Sequence, residues 1–313
     1  MKNSVPSHYL NSSTTSHLYG WNHQKSLSGE DSPPSKEELV REHKNLRFSI
    51  VVPTLNQADT IEDTLLSIIA QNYPNTEIIV IDGGSSDRTL EILSQYNQYI
   101  TYLVSEPDDG QSDAINRGFN LAQGDIFAWL NSDDYYLPKT FHKVNSLFIS
   151  DKTIEFAVGA GDVISKEHSF LRHIPPLDIN QYTMDNWRND RWIMQQSCFW
   201  TRSLWERAGG VDLSLKLLMD VDLWFRFSRY TKTHLISDRL AVMRYYKDVK
   251  TVRHQRIFSE EMAYVYAKNN SYDSVRSFVA ELVNEHAAQV QHAEDFYARF
   301  PIRLMKKLRL LPR

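Results

Sequence analysis

FAWLNSDDYYLP, residues 127–138, places two adjacent carboxylates where an apolar run stops. Residues 126–130 have the aromatic and aliphatic character of a buried strand, and Asn131-Ser132-Asp133-Asp134 ahead of Pro138 has the composition of a turn. The two carboxylates therefore belong at a rim, outside the core. Paired oxygens at a rim suit a hard divalent cation and the phosphates it carries, while Asn, Ser and Asp are also ordinary turn formers.

The same pattern recurs upstream. Residues 47–52 read as a strand ended by Pro53, residues 77–81 as one ended by Asp82-Gly83-Gly84-Ser85, and residues 100–105 as one ended by an acidic stretch through Gly110. Between them lie helical patterns at 59–71, 88–95 and 111–122. The first is clearest, with Ile61, Leu65, Ile68 and Ile69 at helical spacing and Asp59 with Glu62 as a capping box. Strands alternating with helices of this length imply an α/β fold with a mainly parallel sheet flanked by helices. In such sheets ligands bind beyond the carboxyl ends of the strands, so Pro53 to Asn56, Asp82, Asp108 and Asp133 should converge on one crevice.

A chain of 313 residues with 42% hydrophobic content can bury one substantial core plus extensions. Residues 1–45 read as a disordered leader, the first 36 holding nine serines, three asparagines and three prolines. They lack the apolar core of a secretory signal, and no stretch approaches the roughly 20 apolar residues that span a bilayer, so a cytoplasmic protein is expected. The single cysteine, Cys198, excludes an internal disulfide and, within Cys198-Phe199-Trp200, reads as core filler. There is no internal repeat, zinc-type spacing or P-loop.

Charge is uneven. The formal net charge is −4, yet residues 299–313 carry six basic residues and no acid, which leaves −10 on residues 1–298. That acidic body argues against nucleic acid as a partner. In the tail Phe300, Leu304, Leu308 and Leu311 recur at helical spacing beside the cations. Such a helix suits peripheral contact with an anionic membrane, here the inner face of the plasma membrane, or packs on the body with its lysines solvated.

Three segments, SIVVPTLNQADTIEDTLLSIIAQNYPNTEIIVIDGGSSDRT, SEPDDGQSDAINRGFNLAQGDIFAWLNSDDYYLP and QQSCFWTRSLWERAGGVDLSLKLLMDVDLWFRF, together resemble a family-2 inverting glycosyltransferase of the GT-A fold. The order and spacing of several motifs make the resemblance specific. It implies a GT-A domain over residues 46–250, with residues 251–313 as a helical extension ending in the basic tail. It also implies transfer of a sugar from a nucleotide diphosphate donor, commonly a UDP-sugar, to a hydroxyl of a glycan or lipid-linked acceptor in surface polysaccharide synthesis, with Mg²⁺ or Mn²⁺.

Carried over by position, the resemblance makes Pro53, Thr54 and Asn56 part of the first nucleotide-contacting loop. Asp82 becomes the carboxylate that accepts the nucleobase imide proton. Asp108 and Arg117 fall near ribose and donor sugar, and Gln196, beside Gln195, at a donor or acceptor contact. The acidic motif is usually Asp-x-Asp. Here Asn131 takes its first place, able to hydrogen-bond but carrying no charge, while Asp133 matches the cation ligand with Asp134 as the near alternative. Asp220 in MDVDLWFRF matches the catalytic base, and Asp222 competes with it. Both acids also sit where a helix N-terminus favours negative charge. The family often shows Arg-x-His after the base helix. Here Arg244-Tyr245-Tyr246 stands there, so Arg244 is expected among the nucleotide-sugar contacts and Tyr246 replaces the imidazole that would contact metal or diphosphate, with His254 as a possible substitute.

The acceptor side is less informative. Trp187, Trp192, Phe199 and Trp200 are able to stack on sugar rings but are more usually core. Nucleotidyl transfer onto a sugar phosphate is disfavoured, because no lysine-bearing Gly-rich loop follows the first strand. A degenerate binding or scaffolding protein is hinted at only by Asn131 and Tyr246, against the retention of Asp82, Asp133 and Asp220.

Overall fold

A computed structural model describes residues 45–187, 193–246 and 255–299. The leader, the tail beyond Arg299, Trp192 and His254 lie outside the described residues. The chain divides into two compact units between Arg253 and His254. In the first, β1 (Phe48–Thr54), α1 (Ile61–Ile69), β2 (Thr76–Asp82), α2 (Thr89–Gln95), β3 (Tyr102–Ser105), α3 (Gln111–Leu121) and β4 (Ile126–Trp129) alternate. There follow β5 (Tyr135–Tyr136), α4 (Thr140–Ser150), β6 (Phe156–Ser165), β7 (Phe170–Ile174), α5 (Gln181–Asp185), β8 (Cys198–Thr201), α6 (Arg202–Ala208), α7 (Met219–Tyr230) and β9 (Thr233–Tyr245).

These strands form one mixed sheet in the order β3-β2-β1-β4-β8-β6-β9-β5, with β7 paired to β6. The half made of β1 to β4 is parallel. β8 then runs antiparallel to both β4 and β6, and β9 runs parallel to β6. All seven residues of β1 are buried, as a central strand covered on both faces requires. Pro53 does not end that strand as its sequence position suggests: it pairs with Ile81 and β1 continues to Thr54. The reason is directional. Val51 O accepts from Leu130 N on the β4 side, and Thr54 O accepts from Gly83 N on the β2 side. Alternation then points the missing Pro53 N–H toward β4, whose pairing with β1 has already stopped at Val51–Trp129. The expected capping box is also absent. The α1 N-cap is Thr60, without a side-chain cap bond, and the Glu62 carboxylate instead accepts a 2.6 Å hydrogen bond from the Tyr96 hydroxyl.

Strand periodicity divides the core into two faces. Phe199 joins Phe48, Tyr136 and Phe141 on one side, and the next residue, Trp200, faces the other. There it meets Phe119, Trp129, Trp205, Trp224 and Phe227 at centroid distances of 5.4–6.1 Å. Both are fully buried, which makes them core and removes them as stacking platforms for a sugar. Cys198 is likewise buried.

The second unit consists of α8 (Gln255–Lys268) and α9 (Tyr272–Arg299), whose Tyr266 and Phe278 rings meet at 6.5 Å. Phe278 is buried, so its neighbour Val279, about 100° further round the helix, is 46% exposed and anchors nothing within this unit. Among the described residues no helix is long and apolar enough to cross a membrane. Trp200→Ala would remove the centre of the aromatic layer. It should cost about 3–5 kcal/mol of stability, read as a lowered urea midpoint; an unchanged midpoint would contradict the packing described.

Candidate active site

The carboxyl ends of β1 and β2 are laced together by short polar bonds. Asn56 N donates to Ser85 Oγ (2.7 Å), and Ser86 N donates to Asn56 Oδ1 (2.8 Å). Asn56 adopts a left-handed backbone (φ 53°), a conformation Asn tolerates better than most residues. Asp82 is fully buried. Its Oδ2 accepts from Gly84 N (3.2 Å), Ser85 N (3.0 Å) and Ser105 Oγ (2.7 Å), and its Oδ1 from Ser85 Oγ. The Asp108 carboxylate lies over Gly83, where an added Cβ would come within 2.8 Å of Asp108 Oδ2. Pro53 to Asn56, Asp82 and Asp108 are therefore gathered at one place. The buried Thr54 hydroxyl has no hydrogen-bond partner there.

The acidic turn after β4 separates its two carboxylates. Asp134 is 2% exposed, whereas Asp133 is half-buried. Asp134 Oδ1 accepts from Arg244 N (3.0 Å), and Oδ2 from Gln196 Nε2 (2.6 Å) and Asn131 Nδ2 (3.4 Å). Burial, then the neighbouring Asp133 charge, push its pKa well above the usual carboxylate range, against the Gln196 and Arg244 bonds. The Arg244 guanidinium, expected among the nucleotide-sugar contacts, has internal partners. It donates to the Asp133 carbonyl (2.7 Å), pairs with Asp63 on α1 and lies 5.1 Å over the Tyr135 ring. α1 adds two further ties, since Thr60 Oγ1 donates to Ser132 O (2.9 Å) and Thr64 Oγ1 to Asp134 O (2.7 Å). Thr60, Asp63 and Thr64 share one helical face. Sequence reading passed over all three because each resembles an ordinary surface residue of an amphipathic helix.

Other expected contacts divide in the same way. Asn131 Oδ1 accepts from Gln111 Nε2 at the start of α3 (2.8 Å). Arg117 is paired with Asp113 (2.8 Å) and Glu106 (2.9 Å), which binds α3 to the loop before it. Gln196 offers its amide to Asp134 and keeps a buried carbonyl oxygen without a partner. The Tyr246 phenol feels Asp133, and burial first, then that charge, raise its pKa to about 12. It stays protonated at neutral pH and is able to donate a hydrogen bond. His254 lies outside the described residues.

The two acids of α7 also part company. Asp222 is fully buried and paired with Arg226 at 2.9 Å, and Arg226 in turn donates to the carbonyls of Ala208 and Gly210. Asp220 is half-buried in the first turn, its Oδ1 accepting from Val221 N (2.8 Å). The loop leading to it is clamped to α3. Asn116 donates to Val211 O (2.8 Å) and accepts from Val211 N (3.0 Å), and Ser112 Oγ donates to Leu215 O (2.6 Å). Gly209 and Gly210 both have positive φ, and a Cβ on Gly210 would come within 2.7 Å of Asn116 Oδ1. The Gly-Gly pair is what lets the loop reach this clamp.

With that geometry in view, the chain matches the family model "Glycosyl transferase family 2" over residues 49–207. The chain belongs to glycosyltransferase family 2. Its sheet is of the GT-A type. Among its family-2 relatives, an uncharacterized glycosyltransferase of Rickettsia typhi is 32% identical over 196 residues, 59% of this chain and 60% of that protein. A PGL/p-HBAD biosynthesis glycosyltransferase of Mycobacterium bovis is 32% identical over 183 residues, 57% of this chain and 68% of that one. The match reaches only 34% of the length of a Rickettsia conorii relative. Among solved structures, S. aureus TarS (residues 1–349), also crystallised with UDP-GlcNAc, superposes with a TM-score of 0.57 at 17% identity, covering 75% of this chain and 72% of that one. A Pyrobaculum calidifontis mannosyltransferase in complex with GDP-Man and Mn²⁺ gives 0.53 at 16% identity, covering 83% and 82%.

Within the family-2 site, Asp134 and Asp133 should respond differently to mutation. Asp134→Ala strands the buried Gln196 amide and the Arg244 backbone N–H, and should cost about 1–3 kcal/mol for each group left unpaired, while Asp133→Asn should change stability by no more than about 1 kcal/mol. Urea unfolding checks both; equal destabilisation would refute the division.

Proposed function

We propose that this enzyme is a metal-dependent inverting transferase using a UDP-sugar donor and a hydroxyl acceptor on a glycan or lipid-linked glycan of a surface polysaccharide. One observation carries the reading. In each acidic pair one member is sealed and bonded to an internal partner, Asp134 to Arg244 and Asp222 to Arg226, while the other, Asp133 or Asp220, is half-buried at the rim. Two carboxylates, each less buried than its neighbour, thus reach the rim for two tasks.

Among the described residues no three His, Cys, Asp or Glu side chains gather as a protein-only metal cage. That fits Mg²⁺ or Mn²⁺, which is commonly held by one or two carboxylates with the remaining positions filled by substrate phosphates and water. Asp133 would hold the cation, which when bound neutralises the departing nucleoside diphosphate. Tyr246 would donate to a phosphate oxygen. Asp82, organised by Ser85 and Ser105, and the loop from Pro53 to Asn56 would shape the nucleobase site, with Asp108 near the ribose. Asp220 takes the proton of the acceptor hydroxyl as that oxygen attacks the anomeric carbon and the bond to the diphosphate breaks. This single displacement inverts the centre. The TarS complex with UDP-GlcNAc and the mannosyltransferase complex with GDP-Man and Mn²⁺ support a nucleotide-sugar donor and a divalent cation. The basic tail would keep the enzyme at the inner face of the membrane.

A hydrolysis panel of nucleotide sugars with Mg²⁺ or Mn²⁺ tests donor and metal without knowledge of the acceptor. Asp133→Ala should lose metal-dependent binding of the nucleoside diphosphate. Asp220→Asn should keep donor affinity and lower transfer by about 10²- to 10⁴-fold. Asp222→Asn should act through stability instead. Single-turnover transfer in which Asp222→Asn is slower than Asp220→Asn at equal folded fraction would move the base by two residues.

A further inference from the structure

The ribbon formed by the end of β6, its turn and β7 has an exposed surface that the site does not use. Phe170 is 56% and Leu171 48% exposed. From Ser165 to Ile174 the chain also carries Lys166, His168, Arg172 and His173, all exposed, against the single acid Glu167. The side of β7 away from β6 pairs with no strand among the described residues. This is a small cationic and apolar island on an acidic protein.

Two further observations give the island a role. First, the register pairs Ser165 with Tyr245 and Ile164 with Arg244, and Arg244 N bonds Asp134. The turn at Lys166–Ser169 therefore leaves the sheet at the same end as the acidic turn. Second, the base of the ribbon is fixed. Asp162, fully buried, bonds His173 Nδ1 (2.9 Å) from β7 and Arg239 (3.0 Å) from β9. At the tip, Ser165 N donates to Ser169 O (2.8 Å) and His168 N to Ser165 O (3.0 Å).

We propose that the tip of this ribbon dips edge-on into an anionic phospholipid surface, so that Phe170 and Leu171, on its two opposite faces, both enter the headgroup layer and Lys166 and Arg172 face lipid phosphates. Adjacent apolar side chains flanked by cations match such a surface in both chemistry and charge. The rest of the protein, carrying net negative charge outside its tail, is repelled by it. Docking here would turn the end of the sheet that carries Asp133 toward the bilayer, where a lipid-borne acceptor is presented. This surface is separate from the basic tail.

The test is co-sedimentation of the full chain with phosphatidylcholine vesicles, with and without phosphatidylglycerol. Binding should require the anionic lipid. Phe170→Ser/Leu171→Ser and Lys166→Glu/Arg172→Glu should each weaken it by about tenfold or more, with thermal unfolding and soluble donor hydrolysis unchanged. A chain lacking residues 300–313 should keep residual binding that the Phe170/Leu171 variant abolishes. The proposal is overturned if the variants sediment like wild type, if tail removal alone abolishes binding, or if binding ignores lipid charge. It also falls if the variants instead dissociate a dimer, which would make the ribbon a contact between copies. Failure of donor hydrolysis in every protein, wild type included, would count against the proposed function and leave the docking result standing.

Discussion

The bond on which this site depends is the one between the buried Asp134 carboxylate and the backbone and side chains that receive it. A carboxylate withdrawn from water is costly unless its lone pairs are filled. Here they are filled by Arg244 N, Gln196 Nε2 and Asn131 Nδ2. That requirement joins the end of β4, the turn before β8 and the end of β9. The Arg244 guanidinium, itself nearly buried, then needs partners of its own and finds them in Asp63 and the Asp133 carbonyl. The half-exposed Asp133 inherits its position from this chain of satisfied groups.

The Asp222–Arg226 pair does the same for the second carboxylate. Arg226 closes the Ala208–Gly210 carbonyls while Asn116 seats Val211 from the other side. The loop leading to Asp220 is thus tied both to α3 and to α7 itself.

Much of this was legible in the sequence where a local rule operates. The four parallel strands and their three helices follow from apolar runs and helical spacing, and the strand ends were identified by the acids and glycines that interrupt those runs. The strands β6, β7 and β9 had no such signature. β6 carries a buried Asp162 and two glycines, and β9 pairs with β6 across bulges that break its periodicity. Partnership was harder to read than position. Asp133 and Asp134, like Asp220 and Asp222, are chemically identical neighbours, and only residues 62 to 110 positions away decide which of Asp133 and Asp134 is sealed. Nothing local in the sequence reveals Asp63, 181 residues before Arg244, as its partner.

Those separations also order the assembly of the protein in time. During synthesis the chain emerges from its N-terminal side, so β1 to β4 can collapse with α1 to α3 before β9 exists. Until residues near 244 have been made, Asp134 has neither the backbone donor nor the guanidinium that hold its turn, and β6 lacks its long parallel neighbour. Parallel pairing between strands so far apart in sequence is slow to form. The acidic turn is therefore completed only when the C-terminal strand β9 joins the sheet.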